Sequence, residues 1–191
     1  IKTLKKWLPR KVVPNQSELF VFFSGHGYPS QSEGLHLIPQ DGDPTLLEET
    51  SLSHKAIINL IQKTEPKSVT MFVDACYSGQ SNTGEVLVAG LKPLALLNNE
   101  EDIPSNFNFF SSSANNQTSG TIREAKHGIF SYYLMKGLSK GEADLNNDRQ
   151  ITNNELFTYL QNQVSEEANI QNREQIPKLN SSNPDQIIMK Y

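Results

Sequence analysis

The chain has 191 residues, 36% of them hydrophobic and 20% charged, which fits one globular domain with a sizeable core. Its net charge of −4 excludes the basic footprint of a nucleic-acid binder or of a protein that docks on anionic membranes. No apolar run is long enough for a helical membrane span. A single cysteine excludes a disulfide framework and points to a reducing, cytoplasmic setting. No secretory signal is visible, and the start at Ile1 rather than Met suggests a piece of a longer protein.

Short apolar strands alternate with helical segments, the pattern of an α/β layered fold. The basic opening "IKTLKKWLPRK" reads as a helix with a solvated face and with Leu4 and Trp7 inward. "ELFVFFSG" is a continuous apolar run ended by Gly, as in a strand buried on both faces. "GLHLIP" is a short extended segment. "SLSHKAIINLIQKT" opens on a Ser cap, and Ala56, Ile57, Leu60 and Ile61 recur at helical spacing. "KSVTMFVDA" and "FNFFSSS" are two further buried strands. Between them, the connection from Gln80 to Asn106 is long enough to be a functional loop. "HGIFSYYLMKGLSKG" reads as a helix that stops near Gly137 or Gly141. "NNELFTYLQNQVSEEA" is a second helix, with Leu156, Tyr159, Leu160 and Val164 on one face. The Gln/Asn-rich stretch from Gln161 to Asn183 reads as a surface return, and "DQIIMKY" as a last strand.

Two strand ends carry chemistry. "FFSGHGYPS" contains His26, and "FVDACYSG" contains Cys76. Parallel strands joined by a crossover helix bring their C-terminal ends to one sheet edge, where ligands of open α/β sheets bind. His26 and Cys76 are therefore expected to be neighbours. The glycines beside His26 would let the backbone turn sharply and approach a substrate. A thiolate is the reactive form of cysteine, and an imidazole can take its proton. Backbone N–H groups of Gly27 and Cys76 could stabilise the resulting oxyanion. The competing reading is a small buried thiol and a structural histidine.

"SGHG" followed by "DACYSG" resembles the caspase-like cysteine peptidases, especially metacaspases and their bacterial relatives. "SSSANNQTSG" and "HGIFSYYLMKGLSKGEAD" resemble later segments of that family, so the likeness spans roughly Leu19 to Leu160. It implies a three-layer α/β/α sandwich with a mostly parallel sheet, and a cysteine endopeptidase with Cys76 as nucleophile and His26 as general base. It also implies that the first strands of the family sheet are absent from this chain, because only 18 residues precede Leu19. The expected partners are a peptide or protein substrate and that missing N-terminal segment, with neither nucleic acid nor membrane involved.

Asp74 lies two residues before Cys76, so strand alternation puts both side chains on one side. A carboxylate there favours a cationic side chain next to the scissile bond. Metacaspases carry a matching Asp for Arg or Lys, whereas caspases use basic residues to select Asp. Gly120 stands at the approximate position of one such basic residue. The other reading of Asp74 is a cap for nearby backbone N–H groups. An extended substrate is expected to pair along Gln117, Thr118 and Ser119. Self-cleavage in the long loop, or at Lys92, Arg123 or Lys126, is an expectation by analogy.

"DLNNDRQITNNE" fits a twelve-residue EF-hand loop, with Asp144, Asn146, Asp148, Gln150 (through its carbonyl) and Glu155 as Ca2+ ligands and Thr152 at the ninth position. Arg149 stands where Gly usually supplies the left-handed turn, a departure costing about 1 kcal/mol. "TNNE" is equally a helix capping box that needs no metal. Two rivals to the peptidase remain: a non-catalytic calcium- or partner-binding module on the same fold, and a transpeptidase or ligase using the same residues.

Overall fold

The computed structural model describes residues 3–30, 34–43, 45–76, 103–113, 119–122 and 125–191, with Pro29 and Cys76 described through their backbone. A π turn (Thr3–Trp7) and a 3-10 turn (Leu8–Arg10) precede β1 (Glu18–Ser30) and β2 (Gly34–Ile38). Then come α1 (Leu47–Thr50), β3 (Leu52–Ser53), α2 (His54–Gln62), β4 (Ser68–Cys76) and β5 (Phe107–Ser111). A small hairpin of β6 (Thr121–Ile122) and β7 (His127–Gly128) leads into α3 (Ile129–Ser139). The chain ends with β8 (Gln150–Thr152), α4 (Asn153–Ile170), β9 (Lys178–Ser181) and β10 (Ile187–Lys190).

The main sheet runs β3-β2-β1-β4-β5-β9. β1, β4 and β5 form its parallel core, and β2, β3 and β9 pair antiparallel at its margins. Alternation along β4 divides the interior into two layers. Val69, Met71, Val73 and Ala75 pack with Ile57, Ile58 and Ile61 of α2. Phe72 and Phe110 face the other way, into Ile129, Phe130 and Leu134 of α3 and Leu156, Leu160 and Val164 of α4. These are the three expected layers, with the sheet in the middle. Among the described residues no helix is long and apolar enough to cross a membrane.

Local signals set most helix boundaries. Ser53 Oγ accepts the Ala56 N–H at 3.2 Å and caps α2. Ala56, expected on the buried face, is exposed, and Ile58 takes its place. Gly141, at φ +68, follows the end of α3 in the left-handed conformation that glycine adopts without strain. Gly137 lies inside that helix, where a Cβ would stand 2.7 Å from the Tyr159 ring, so its bareness lets α3 and α4 approach.

Four expectations need correction. The N-terminal segment is not an α-helix and Trp7 is 53% exposed; only Leu4 and Leu8 pack on the α2 layer. Pro9 lacks the N–H that would continue a helix. β1 is not buried on both faces, Phe20 and Phe22 being 59% and 55% exposed, and it does not turn at its glycines. It runs on to Ser30, because β2 folds back and pairs with it from His26 onward. The Gln/Asn-rich return also hides β9, an edge strand paired to β5 through the backbone.

Candidate functional site

β1 and β4 are in parallel register from Glu18↔Ser68 to His26↔Cys76. The last pair lies where β4 ends, and neighbouring strands stand about 4.8 Å apart. At the same point β1 exchanges partners, with His26 opposite Ile38 and Gly27 opposite Leu37 of β2. The His26 side chain is exposed, while Gly27 is buried. The register thus brings His26 and Cys76 side by side at the C-terminal edge of the parallel core, although 50 residues separate them.

Asp74 is 5% exposed and lies against the start of α3. That helix has Gly128 at its N-cap and so no capping side chain of its own. Asp74 Oδ2 supplies the acceptor instead, receiving the Ser131 N–H at 3.2 Å and its Oγ–H at 2.5 Å. Ser131 is the third residue of α3, where an N-cap side chain would normally bond. Gly128 makes room, since a Cβ there would meet Asp74 Oδ2 at 2.2 Å. Burial pushes the Asp74 carboxyl above its usual 3.8, and hydrogen bonds from Ser131 and Ser112 pull partly back. The capping role is therefore present in the structure, on the strand that carries Cys76.

Of the expected substrate path, Gln117 and Thr118 lie outside the described residues, as do Lys92, Arg123 and nearly all of the long loop. Lys126 is exposed, at φ +56. Ser119 is buried, with its Oγ 2.7 Å from Ser112 Oγ. Ser112 continues the β4–β5 ladder through its N–H to Val73 O, and its hydroxyl reaches Ala75 O at 3.4 Å. Gly120 follows, and its carbonyl accepts the Ile129 N–H at 3.0 Å. Sequence reasoning missed Ser131, Gly128, Ser112 and Gln175. A serine in the first turn of a helix whose N-cap is Gly was a readable sign; Gln175, inside an Asn/Gln-rich run, gave none.

The loop from Asp144 to Glu155 turns around its own amides. Asp144 accepts from the N–H groups of Asp148 (3.2 Å) and Arg149 (2.9 Å), and from Tyr191 Oη (2.8 Å). Asn146 Oδ1 takes the Asp148 N–H, and Asp148 Oδ1 the Gln150 N–H. Although burial pushes the Asp144 carboxyl up, these bonds, led by that from Tyr191, hold it below 3.8. Arg149 adopts φ +64, so the left-handed turn forms without glycine. Thr152 and Glu155 form the capping box of α4, through Thr152 N–H to Glu155 Oε2 at 3.0 Å and Glu155 N–H to Thr152 Oγ1 at 3.2 Å. Glu155 Oε1 is buried and has no hydrogen-bond partner among the described residues. Among the described residues no three His, Cys, Asp or Glu side chains converge as a metal cluster.

A three-layer α/β/α domain with a histidine and a cysteine in register at the end of its parallel strands is the architecture of caspase-fold proteins. The sequence profile described as the caspase domain matches residues 1–188, and the chain belongs to that family. Caspase-1 from Spodoptera frugiperda superposes with a TM-score of 0.58 at 16% identity, over 95% of this chain and 68% of that one. A protein of Geobacter sulfurreducens gives a TM-score of 0.57 at 13% identity, over 93% and 71%. At such identities the likeness speaks for the fold. Comparison with curated proteins finds no significant match. Membership places the chain in a caspase-fold protease family, and a domain of that class implies peptide or protein substrates.

Proposed function

We propose that the domain is a cysteine endopeptidase that cuts after Arg or Lys through a His26–Cys76 dyad. The observation that carries this reading is the register pairing of His26 with Cys76 at the C-terminal sheet edge. His26 takes the thiol proton, and the Cys76 thiolate attacks the carbonyl carbon of the scissile bond. Backbone N–H groups of Gly27 and Cys76 hold the oxyanion. The protonated imidazole then gives its proton to the leaving amine, and water releases the acyl group from sulfur. Asp74 supports the cationic preference, since a guanidinium or ammonium arriving beside a buried carboxylate gains a charge-assisted bond. If Asp74 serves α3 alone, Arg and Lys peptides gain nothing over others. Self-processing after a basic residue follows from the same specificity.

The test is a panel of fluorogenic peptides ending in Arg, Lys, Asp or Asn, with and without Ca2+. We expect Arg and Lys peptides to be cleaved, and Cys76→Ala and His26→Ala to lose about 10³-fold or more. Absence of turnover by folded protein refutes the peptidase, and preference for Asp refutes the role of Asp74.

Two partners belong to this reading. The loop from Asp144 to Glu155 is a candidate Ca2+ site, favoured by the orphaned Glu155 Oε1 and by a backbone that already takes the left-handed turn at Arg149. Asp144, Asn146, Asp148, the Gln150 carbonyl and Glu155 would hold the ion, which would draw its ligands together on binding. Calorimetric titration with Ca2+ should show a site that Glu155→Gln weakens at least tenfold; no heat above dilution excludes it. On β1, the edge from Glu18 to Gly25 has no second neighbour among the described residues, and Phe20 and Phe22 are 59% and 55% exposed. A further N-terminal segment of the same protein would cover them. A purified, active sample with the mass of these 191 residues alone counts against that partner.

A further inference from the structure

We propose that Gln175 is a positioning residue, clamping the Ser119–Gly120 flank of the substrate cleft to the catalytic sheet; the proposal rests on the peptidase reading above. Gln175 lies in the connection between α4 and β9 and is 1% exposed. Its Oε1 accepts the Gly120 N–H at 2.6 Å, and its Nε2 donates to Ser112 O at 3.0 Å. The partners fix the amide's orientation, because an N–H can meet only an acceptor and a carbonyl only a donor. One side chain thus joins the residue that ends the β4–β5 ladder to the residue that follows Ser119. The backbone of Gln175 is itself anchored, its carbonyl accepting Ser165 Oγ–H from α4 at 3.2 Å.

The clamp matters because of what its two ends touch. Ser112 reaches Ala75, the residue before Cys76, and also Ser119 Oγ. Gly120 O receives the Ile129 N–H at the head of α3, two residues before the Ser131 that holds Asp74. Ser119 and Gly120 therefore sit between the Cys76 strand and the helix start held by Asp74, and both Gly120 backbone groups are tied down. A substrate pairing with that flank is bound equally in the ground and transition states, so loss of the clamp falls on KM.

The experiment compares the wild-type protein with Gln175→Met, close in shape and lacking both bonds, and Gln175→Glu, which keeps the acceptor for Gly120. Kinetics are measured where circular dichroism shows each variant folded, and Gly120 amide exchange is followed by NMR or mass spectrometry. We expect Gln175→Met to raise KM about tenfold or more with kcat changed less than about threefold, and to speed Gly120 exchange. Gln175→Glu should recover slow exchange and part of the KM. An unchanged KM, or a loss confined to kcat, overturns the proposal. If the wild-type protein cleaves nothing, the peptidase reading fails by that result alone. Gln175 is then judged by exchange: faster at Gly120 in Gln175→Met supports the clamp, and unchanged exchange overturns it.

Discussion

Replacing Gly128 by Ala tests whether Asp74 is confined as described. Gly128 has φ −59 and ψ 147, a conformation any residue adopts, so the effect of the methyl is one of space. On conformational grounds alone, Gly→Ala at a compatible site stabilises by about 0.4–1 kcal/mol. The new Cβ, however, would stand 2.2 Å from Asp74 Oδ2 and 3.1 Å from its Cγ. The carboxylate would have to retreat by about 1 Å to reach ordinary contact. Its 2.5 Å bond to Ser131 Oγ and its 3.2 Å bond to Ser131 N would then both fail. A buried hydrogen bond to a charged group contributes roughly 1.5–3 kcal/mol, and the head of α3 would lose its cap as well. The steric loss wins, leaving a net destabilisation of roughly 2–5 kcal/mol, or about 4–20 °C in Tm for a chain of this size. Thermal unfolding followed by circular dichroism reads the change directly. A Tm within about 2 °C of wild type would show that the carboxylate moves freely, and the cap assigned to Asp74 would be wrong.

Other expectations follow from the same contacts. Because burial raises the Asp74 carboxyl above 3.8, its stabilising contribution is full below 3.8 and is lost as pH rises through the folded value. The stability of Asp74→Asn relative to wild type should therefore improve from pH 4 to pH 7; a flat difference in paired denaturant titrations would contradict the shift. Arg149→Gly relieves a left-handed residue at φ +64 and should stabilise by about 1 kcal/mol, a rise of about 2–4 °C in Tm. A fall in Tm would show that the Arg149 side chain matters more than its backbone. Thr152→Ala opens the capping box of α4 and should cost about 1 kcal/mol, visible as a lower urea midpoint with an unchanged slope. No shift in that midpoint would mean that water replaces the hydroxyl at no cost.

The sequence by itself determined the elements whose physics is local. β4 and β5 are short segments dominated by apolar and β-branched residues, and α4 shows its buried face at Leu156, Tyr159, Leu160 and Val164 because helical spacing puts them there. Capping chemistry likewise marked the Thr152–Glu155 box and a glycine stop for α3, of which the structure takes Gly141, whereas the Ser cap expected at the opening of "SLSH" falls two residues later, at Ser53. The layered α/β class and the meeting of two distant strand ends followed from parallel connectivity. Only the tertiary structure could decide matters that depend on partners far along the chain. β1 passes through Gly25 and Gly27 because β2 returns to pair with it, and β9 exists because β5 offers it an edge despite a polar composition. Whether Asp74 faces water or a helix is likewise undetermined by the letters of "FVDACYSG". It rests on Ser131 and on the space left by Gly128, more than fifty residues later. Gln175 is the extreme case, a residue without any local signature whose two bonds span 55 and 63 positions. Short-range periodicity and capping are written in neighbouring residues, whereas buried polar networks are set by whichever distant groups remain unsatisfied when the layers close.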